Sequence, residues 1–292
     1  MTDVPVLVGV LGGGRMGAGI AHAFVVSGST VRVVERDGDQ AAAALDRVTS
    51  TLAASVERGT TGESVATLNA RIETGTDDAL FDECELVIEA VPEDTALKIA
   101  SLARIEDRVG AEIPIASNTS SLSIDALAAS LRFPQRFLGL HFFNPVPASE
   151  LVEIVVGAST DPSVVSDAQD WVLGLGKTPV TVKDSPGFAS SRLGVAIGLE
   201  AIRMLEEGVA SAEDIDAAMV LGYKFPVGPL RLTDIVGLDV RLGIAEYLHS
   251  QLGERFAPPQ LLRDKVAADE LGRKTGSGFF SWDERPGKKG TS

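Results

Sequence analysis

Residues 4–26 constrain the fold more than any other stretch. Residues 4–10 (VPVLVGV) are an apolar run of strand length, LGGGRMG follows at residues 11–17, and residues 18–26 have the amphipathic pattern of a helix. Gly12, Gly14 and Gly17 stand at G-x-G-x-x-G spacing, between a strand and a helix as that pattern requires. Gly12 permits a tight turn, Gly14 lets a pyrophosphate approach the backbone, and Gly17 lets the helix pack on the strand. The helix N-terminus then offers its N–H groups to the phosphates, with Arg15 and Met16 beside them. A second strand, residues 31–34, ends at Glu35, where an acid about 20 residues past the glycines grips ribose hydroxyls. The carboxylate of Glu35 repels a 2′-phosphate and selects NAD over NADP, although Arg36 is placed to accept that phosphate. His22, on the first helix, reads as structural.

The next segments fit a doubly wound sheet with an addition. Residues 39–58 form one long helix, with Leu45, Val48, Leu52 and Val56 on a stripe and Gly59 and Gly62 after it. Residues 64–70 read as a return helix. Such a helical hairpin is longer than a crossover needs. Thr51 and Arg58, about two turns apart on it, are placed to hold a long anionic ligand, or else belong to a solvated face. Leu86, Val87 and Ile88 make a strand, and Cys84 just before it reads as a core or strand-edge thiol. Loops at the carboxyl ends of such strands face the cofactor, so Ala90, Glu93, Lys98 and Asn118 are cofactor-contact candidates. The bland alternative for Glu93 and Lys98 is a helix-start acid and a surface lysine. After the strand at Ile113, Ile115 and Ala116 comes the hydroxyl-rich run 117–121. Ser123 and Asp125 suit a helix cap, while Ser120 is placed to hold a substrate oxygen.

His141 closes the apolar run Phe137, Leu138, Leu140, and Pro145 and Pro147 keep the following loop from becoming helical. A second apolar run, residues 151–156, is interrupted by Glu153. A carboxylate inside a buried strand is costly without a partner. Two strands joined by this loop bring Glu153 to His141, and an imidazole backed by a carboxylate is a general base. The alternative is a core histidine beside an unrelated acid.

Composition narrows the partners. A net charge of −15 argues against nucleic acid and anionic membranes and demands a local basic site for any anionic ligand. One cysteine and three histidines leave no disulfide framework and no cysteine- or histidine-rich metal site. No leader and no apolar stretch of membrane-spanning length is seen, so a cytoplasmic location is expected.

The glycine loop, SNTSSL at residues 117–122 and HFFNPVP at residues 141–147, followed by Glu153, together resemble the short-chain-length form of the 3-hydroxyacyl-CoA dehydrogenase family. The resemblance runs from Val4 to about Trp282. It implies a Rossmann-type doubly wound α/β domain with a helical hairpin insertion, residues 1–185, and an all-α C-terminal domain, residues 186–292, which carries substrate contacts and dimerises. It also implies NAD-dependent oxidation of a 3-hydroxyacyl-CoA in fatty acid metabolism (β-oxidation). By the same resemblance His141 is the base, Glu153 orients it, Ser120 bonds the reacting oxygen, and Asn144 meets the nicotinamide end of the cofactor. Glu93 and Lys98 match cofactor-contacting positions, and Thr51 and Arg58 match positions that grip coenzyme A. Within DSPGFASSRL, residues 184–193, Ser191 stands where the family usually has an asparagine that helps to hold the substrate oxygens. Serine is shorter and has one polar atom. The range of substrates within the family and this departure each keep an alternative open. One is a dehydrogenase of a non-CoA 3-hydroxy acid of the L-gulonate or carnitine type. The other is a dinucleotide-binding protein that has lost turnover.

Pro186 and Gly187 mark the start of the helical domain. Residues 193–207 form a long amphipathic helix, Ser211 and Asp214 start another, and a helical stretch from Leu230 to Leu248 is broken near Gly237. A small apolar helical unit of this kind suits a homodimer interface. Lys274, in the turn GRKTGSGFF, resembles a family lysine near the cofactor, or else is simply part of a basic turn. Residues 283–292 are polar and read as frayed.

Overall fold

A computed structural model of the chain describes residues 4–282, so the polar tail expected to fray lies outside the described residues. The first strand, β1 (Leu7–Leu11), leads through the glycine loop into α1 (Arg15–Val26) and then β2 (Thr30–Val34). The hairpin follows as α2 (Gly38–Glu57) and α3 (Val65–Asn69), and the chain re-enters the sheet as β3 (Ile72–Gly75). Then come β4 (Leu86–Glu89), α4 (Thr95–Arg108), β5 (Ile115–Ser117) and α5 (Ile124–Ala128). The sheet ends with β6 (Phe137–Phe142), β7 (Leu151–Val156), α6 (Pro162–Gly174) and β8 (Thr178–Lys183).

The eight strands lie in the order β3-β2-β1-β4-β5-β6-β7-β8. All neighbours are parallel except β6 and β7. The chain reverses direction across the sheet between β1 and β4, whose carboxyl ends are Leu11 and Glu89 in register. In such sheets the crevice at that switch point takes the ligand. The central strands are buried on both faces, which is why they read as apolar runs rather than alternating ones.

One expectation needs correcting. The first helix reads as amphipathic, yet residues 17–25 of α1 are all buried, including His22 at 5% exposure. The reason is the hairpin. Its Ser55, on α2, hydrogen-bonds His22 Nε2 at 2.8 Å, and Val48 and Leu52 of α2 join the cluster that holds Ile20 and Phe24. A helix covered by the sheet on one side and by α2 on the other has no solvated face over those residues.

Contacts divide the chain between Phe188 and Ala189, so Pro186–Phe188 go with the first unit. Phe188 is buried in a core cluster of that unit with Phe137 and Val155. The second unit is helical: α7 (Ser190–Glu206), α8 (Ala212–Ala217), α9 (Pro229–Val236), α10 (Leu238–Leu252) and α11 (Gln260–Ala267). Ser211 caps α8 by accepting from Asp214 N at 3.1 Å, as its spacing predicts. Gly237, with φ +106°, breaks α9 from α10. Val195, Leu199, Ile202, Leu230, Leu238 and Leu248 form the core of this unit. Among the described residues, no helix is long and apolar enough to cross a membrane.

Candidate active site

The antiparallel pairing of β6 and β7 sets His141 opposite Glu153. Directly opposed residues project to the same face, and here the side chains meet: Nδ1 lies 2.8 Å from Glu153 Oε2. Both are buried, at 6% and 1% exposure. A proton on Nδ1 donated to the carboxylate leaves Nε2 as the nitrogen able to take a proton. The rings of Phe143 and Phe188 flank the imidazole at centroid distances of 4.4 and 5.7 Å. Asn118 fixes the end of β6 by accepting from Phe142 N at 2.9 Å.

The serine-rich loop after β5 is held by a single carboxylate. Glu93 Oε1 accepts from Thr119 Oγ1 at 2.6 Å, Ser120 N at 2.9 Å and Ser121 N at 3.1 Å. Ser120 Oγ stands 3.4 Å from the same oxygen. Burial pushes the Glu93 carboxyl up, but the charge of Lys98 and these hydrogen bonds outweigh it and hold it below its ordinary value. Lys98 is no surface lysine, contrary to the bland reading. It is 1% exposed, with Nζ 2.8 Å from Glu89 Oε1 and 3.3 Å from Glu93 Oε2. Glu89 itself is fully buried and also accepts from Ser117 Oγ at 2.6 Å and Val91 N at 2.7 Å. Glu89 and Ser117 escaped sequence reasoning, because at strand ends they look like edge residues. Ser123 caps α5 as expected, whereas Asp125 instead accepts from Ala158 N at 2.6 Å.

The glycine loop fits a dinucleotide. Gly12 has φ +93° and its N–H donates to Val34 O at 2.9 Å. A side chain on Gly17 would put Cβ 1.8 Å from Gly12 O, while Gly14 has nothing within 4 Å and stays open to a ligand. No side chain caps the start of α1, so its N–H groups are available to phosphates. Glu35 stands at the end of β2 with Oε1 accepting from Gly13 N at 2.7 Å. Arg36 is turned to Asp37, Nε to Oδ2 at 3.1 Å, rather than toward a 2′-phosphate. Ala90 follows β4 and donates its N–H to Leu11 O at 2.8 Å, placing it beside the loop.

A cleft of 610 Å³ opens between α1, α2 and the loop after β6. Thr51 and Arg58 line it together, on one side of the hairpin as their spacing predicts, with Arg15, Arg47 and the loop residue Asn144. Arg47, which also donates to Gly13 O at 3.1 Å, escaped sequence reasoning because one arginine on a charged helix face carries no signal. In a chain of net charge −15, three arginines against the single acid Asp46 around one cleft make a local basic site. Lys177 is a further unforeseen residue: its Nζ donates to Val146 O at 2.7 Å and Ser149 O at 2.5 Å, pinning the loop that joins β6 to β7. Burial, then the charges of Lys177 and Arg58, push His22 down to about 4, so it stays neutral at physiological pH. In the helical unit, Ser191 is in the first turn of α7, and Lys274 Nζ pairs with Asp239 at 2.6 and 2.5 Å.

A dinucleotide loop at the switch point of a parallel sheet, with a carboxylate-backed histidine on the same sheet, defines an NAD-dependent dehydrogenase. Residues 7–185 match the NAD binding domain, and residues 187–282 the C-terminal domain, described for 3-hydroxyacyl-CoA dehydrogenase. The chain belongs to the 3-hydroxyacyl-CoA dehydrogenase family. It is 40% identical over 279 residues to a probable 3-hydroxybutyryl-CoA dehydrogenase of Deinococcus radiodurans, covering 94% of this chain and 99% of that one. The 3-hydroxybutyryl-CoA dehydrogenase of Mycobacterium tuberculosis is 40% identical over 287 residues, covering 97% and 100%. Among solved structures, the (S)-3-hydroxybutyryl-CoA dehydrogenase of Ralstonia eutropha superposes with a TM-score of 0.92 at 39% identity, covering 96% and 100%.

Proposed function

We propose that His141, Glu153 and Ser120 carry the reversible oxidation of a short-chain (S)-3-hydroxyacyl-CoA, such as 3-hydroxybutyryl-CoA, to the 3-ketoacyl-CoA. The observation that carries this assignment is the 2.8 Å contact of a buried imidazole with a buried carboxylate. Nε2 of His141 takes the proton of the 3-hydroxyl, and Glu153 stabilises the resulting imidazolium. Ser120, fixed by Glu93, hydrogen-bonds the reacting oxygen. Bound NAD supplies the hydride acceptor for C3. Gly12, Gly14, Arg15, Met16, Gly17, Glu35, Ala90, Asn118 and Asn144 hold the dinucleotide, Glu93 and Lys98 shape its nicotinamide end, and Lys274 is a further candidate. Thr51 and Arg58 hold the anionic coenzyme A, which the basic cleft supports. Ser191 contacts the acyl group in place of the family's asparagine. The names of the relatives support the short chain.

The protein acts as a homodimer through its helical unit. Leu221 and Tyr223, at 69% and 76% exposure, are large apolar groups left uncovered there.

The test is NADH oxidation with acetoacetyl-CoA, with NADPH as the control, run beside His141→Gln. Wild type turns over with NADH, and His141→Gln loses about two to four orders of magnitude. A silent wild type that still binds NADH refutes the short-chain substrate.

A further inference from the structure

Acids outnumber bases in this chain by 41 to 26, and most arginines of the first unit find one. Of the ten at residues 4–188, seven pair with a carboxylate. Among the described residues, the three without one are Arg15, Arg47 and Arg58, and all three line the cleft of 610 Å³. Asp46, the acid on the same cleft, pairs with none of them. The assigned roles take up Arg15 and Arg58 but not Arg47, which is exposed on α2 one turn before Thr51. All of these residues belong to the first unit.

Arg47 touches the dinucleotide loop as well as the cleft. Its Nη1 donates to Gly13 O at 3.1 Å, while Gly13 N donates to Glu35 Oε1 at 2.7 Å. Gly13, between the loop glycines Gly12 and Gly14, is therefore held from α2 on one side and from the end of β2 on the other. It also lies directly against α2, since a Cβ on Gly13 would stand 2.3 Å from the Cβ of Ala44. Ala44 is one turn before Arg47, so this face of α2 is fitted to the loop. The guanidinium has five donors, and the bond to Gly13 uses one. Among the described residues the others meet no protein acceptor, in a side chain that lines the cleft.

We infer that Arg47 couples the two ligands: it bonds a phosphate of coenzyme A while it holds Gly13, so that coenzyme A and the dinucleotide each tighten the binding of the other. This rests on the reading of the cleft as the coenzyme A site. The planar fork suits the task, because it can hold a phosphate with two parallel bonds and keep a donor on the loop. Two physical effects give the coupling its sign. An exposed arginine side chain is mobile, and the ligand that orders it first spares the second that entropy. Both ligands are polyanions, and a cation shared by their two sites offsets their mutual repulsion. Arg58 lies three turns further along α2, roughly 16 Å in axial rise, where its Nε donates to Ala54 O. It holds coenzyme A without touching the loop and carries no coupling.

The experiment measures binding rather than turnover. NADH is titrated by fluorescence alone, with saturating butyryl-CoA, and with saturating butyryl-pantetheine, which keeps the acyl arm and lacks every phosphate. Butyryl-CoA has no 3-keto group, so NADH stays reduced. Wild type binds NADH about fivefold to twentyfold more tightly with butyryl-CoA than alone, the lower part of the range for coupled sites, and gains much less with butyryl-pantetheine. Calorimetry finds the same factor for butyryl-CoA when NADH is present, because linkage is reciprocal. In Arg47→Met the factor falls to unity or below, and Arg47→Lys keeps part of it. Arg58→Met weakens butyryl-CoA binding but leaves the factor at its wild-type value, a difference that a merely structural loss does not produce. The inference is overturned if wild type binds both ligands with a factor of unity, if butyryl-pantetheine gives the same factor as butyryl-CoA, or if the factor survives in Arg47→Met. A wild type that binds NADH but no butyryl-CoA refutes the coenzyme A reading of the cleft, and this inference with it.

Discussion

Glu153→Gln isolates the charge behind the catalytic base while keeping the shape of the side chain. In the ground state His141 Nδ1 donates to a carboxylate 2.8 Å away, with both partners buried. As the substrate proton moves to Nε2, the imidazole becomes a cation and its hydrogen bond to the carboxylate becomes a hydrogen-bonded ion pair. That gain is about 1.5–3 kcal/mol. Removing it lowers kcat by roughly tenfold to 150-fold, and burial of both groups favours the upper end. The amide adds a second penalty of the same sign. If its NH2 faces Nδ1, the ring proton must move to Nε2, and the base is lost outright. The assay is steady-state NAD reduction by (S)-3-hydroxybutyryl-CoA, the direction in which Nε2 takes the proton, with thermal melting to confirm that the isosteric variant is folded. The expected signature is a fall in kcat with little change in either Michaelis constant. A folded variant that keeps kcat within about threefold of wild type refutes the argument, because the imidazole would then carry no charge in the rate-limiting step.

Other residues give independent tests. Lys98→Met strands the buried Glu89 carboxylate and lowers stability by about 3–5 kcal/mol in urea unfolding, and adding Glu89→Leu restores much of the loss. Gly17→Ala drives a Cβ into Gly12 O, and the loop must shift; fluorescence titration of NADH should show weaker binding in a folded protein. Glu93 lies below its ordinary 4.5 in the folded protein, so its contribution to stability is full above that pH and fades as pH falls through the lowered value. The melting temperatures of wild type and Glu93→Gln should therefore differ at neutral pH and converge on acidification. Arg58→Glu raises the Michaelis constant for acetoacetyl-CoA more steeply at low salt than at high salt; an unchanged constant would mean that coenzyme A does not use the cleft.

The mostly parallel α/β sheet, the dinucleotide loop and the hairpin are legible in the chain because they follow from local patterns: apolar runs of strand length, glycines at fixed spacing and an apolar stripe on a long helix. The His141–Glu153 pair is legible there too. A short proline-bearing loop between two apolar strands leaves few registers, and a buried carboxylate needs a partner. The helical unit was legible for the same local reasons, down to the Ser211 cap and the break at Gly237. Which polar groups are buried together depends instead on long-range packing. Lys98 reads from its sequence as a cofactor contact or else a surface lysine, and it is buried because its helix lies against the end of β4, where Glu89 waits. Glu93 became a clamp on the serine loop through contacts 26 to 28 residues away in sequence. The burial of α1 depends on the hairpin folding back over it. Periodicity reports which face of an element is apolar. It carries no information on which element covers that face, and the ionic partners of a buried charge are settled by that second, non-local choice.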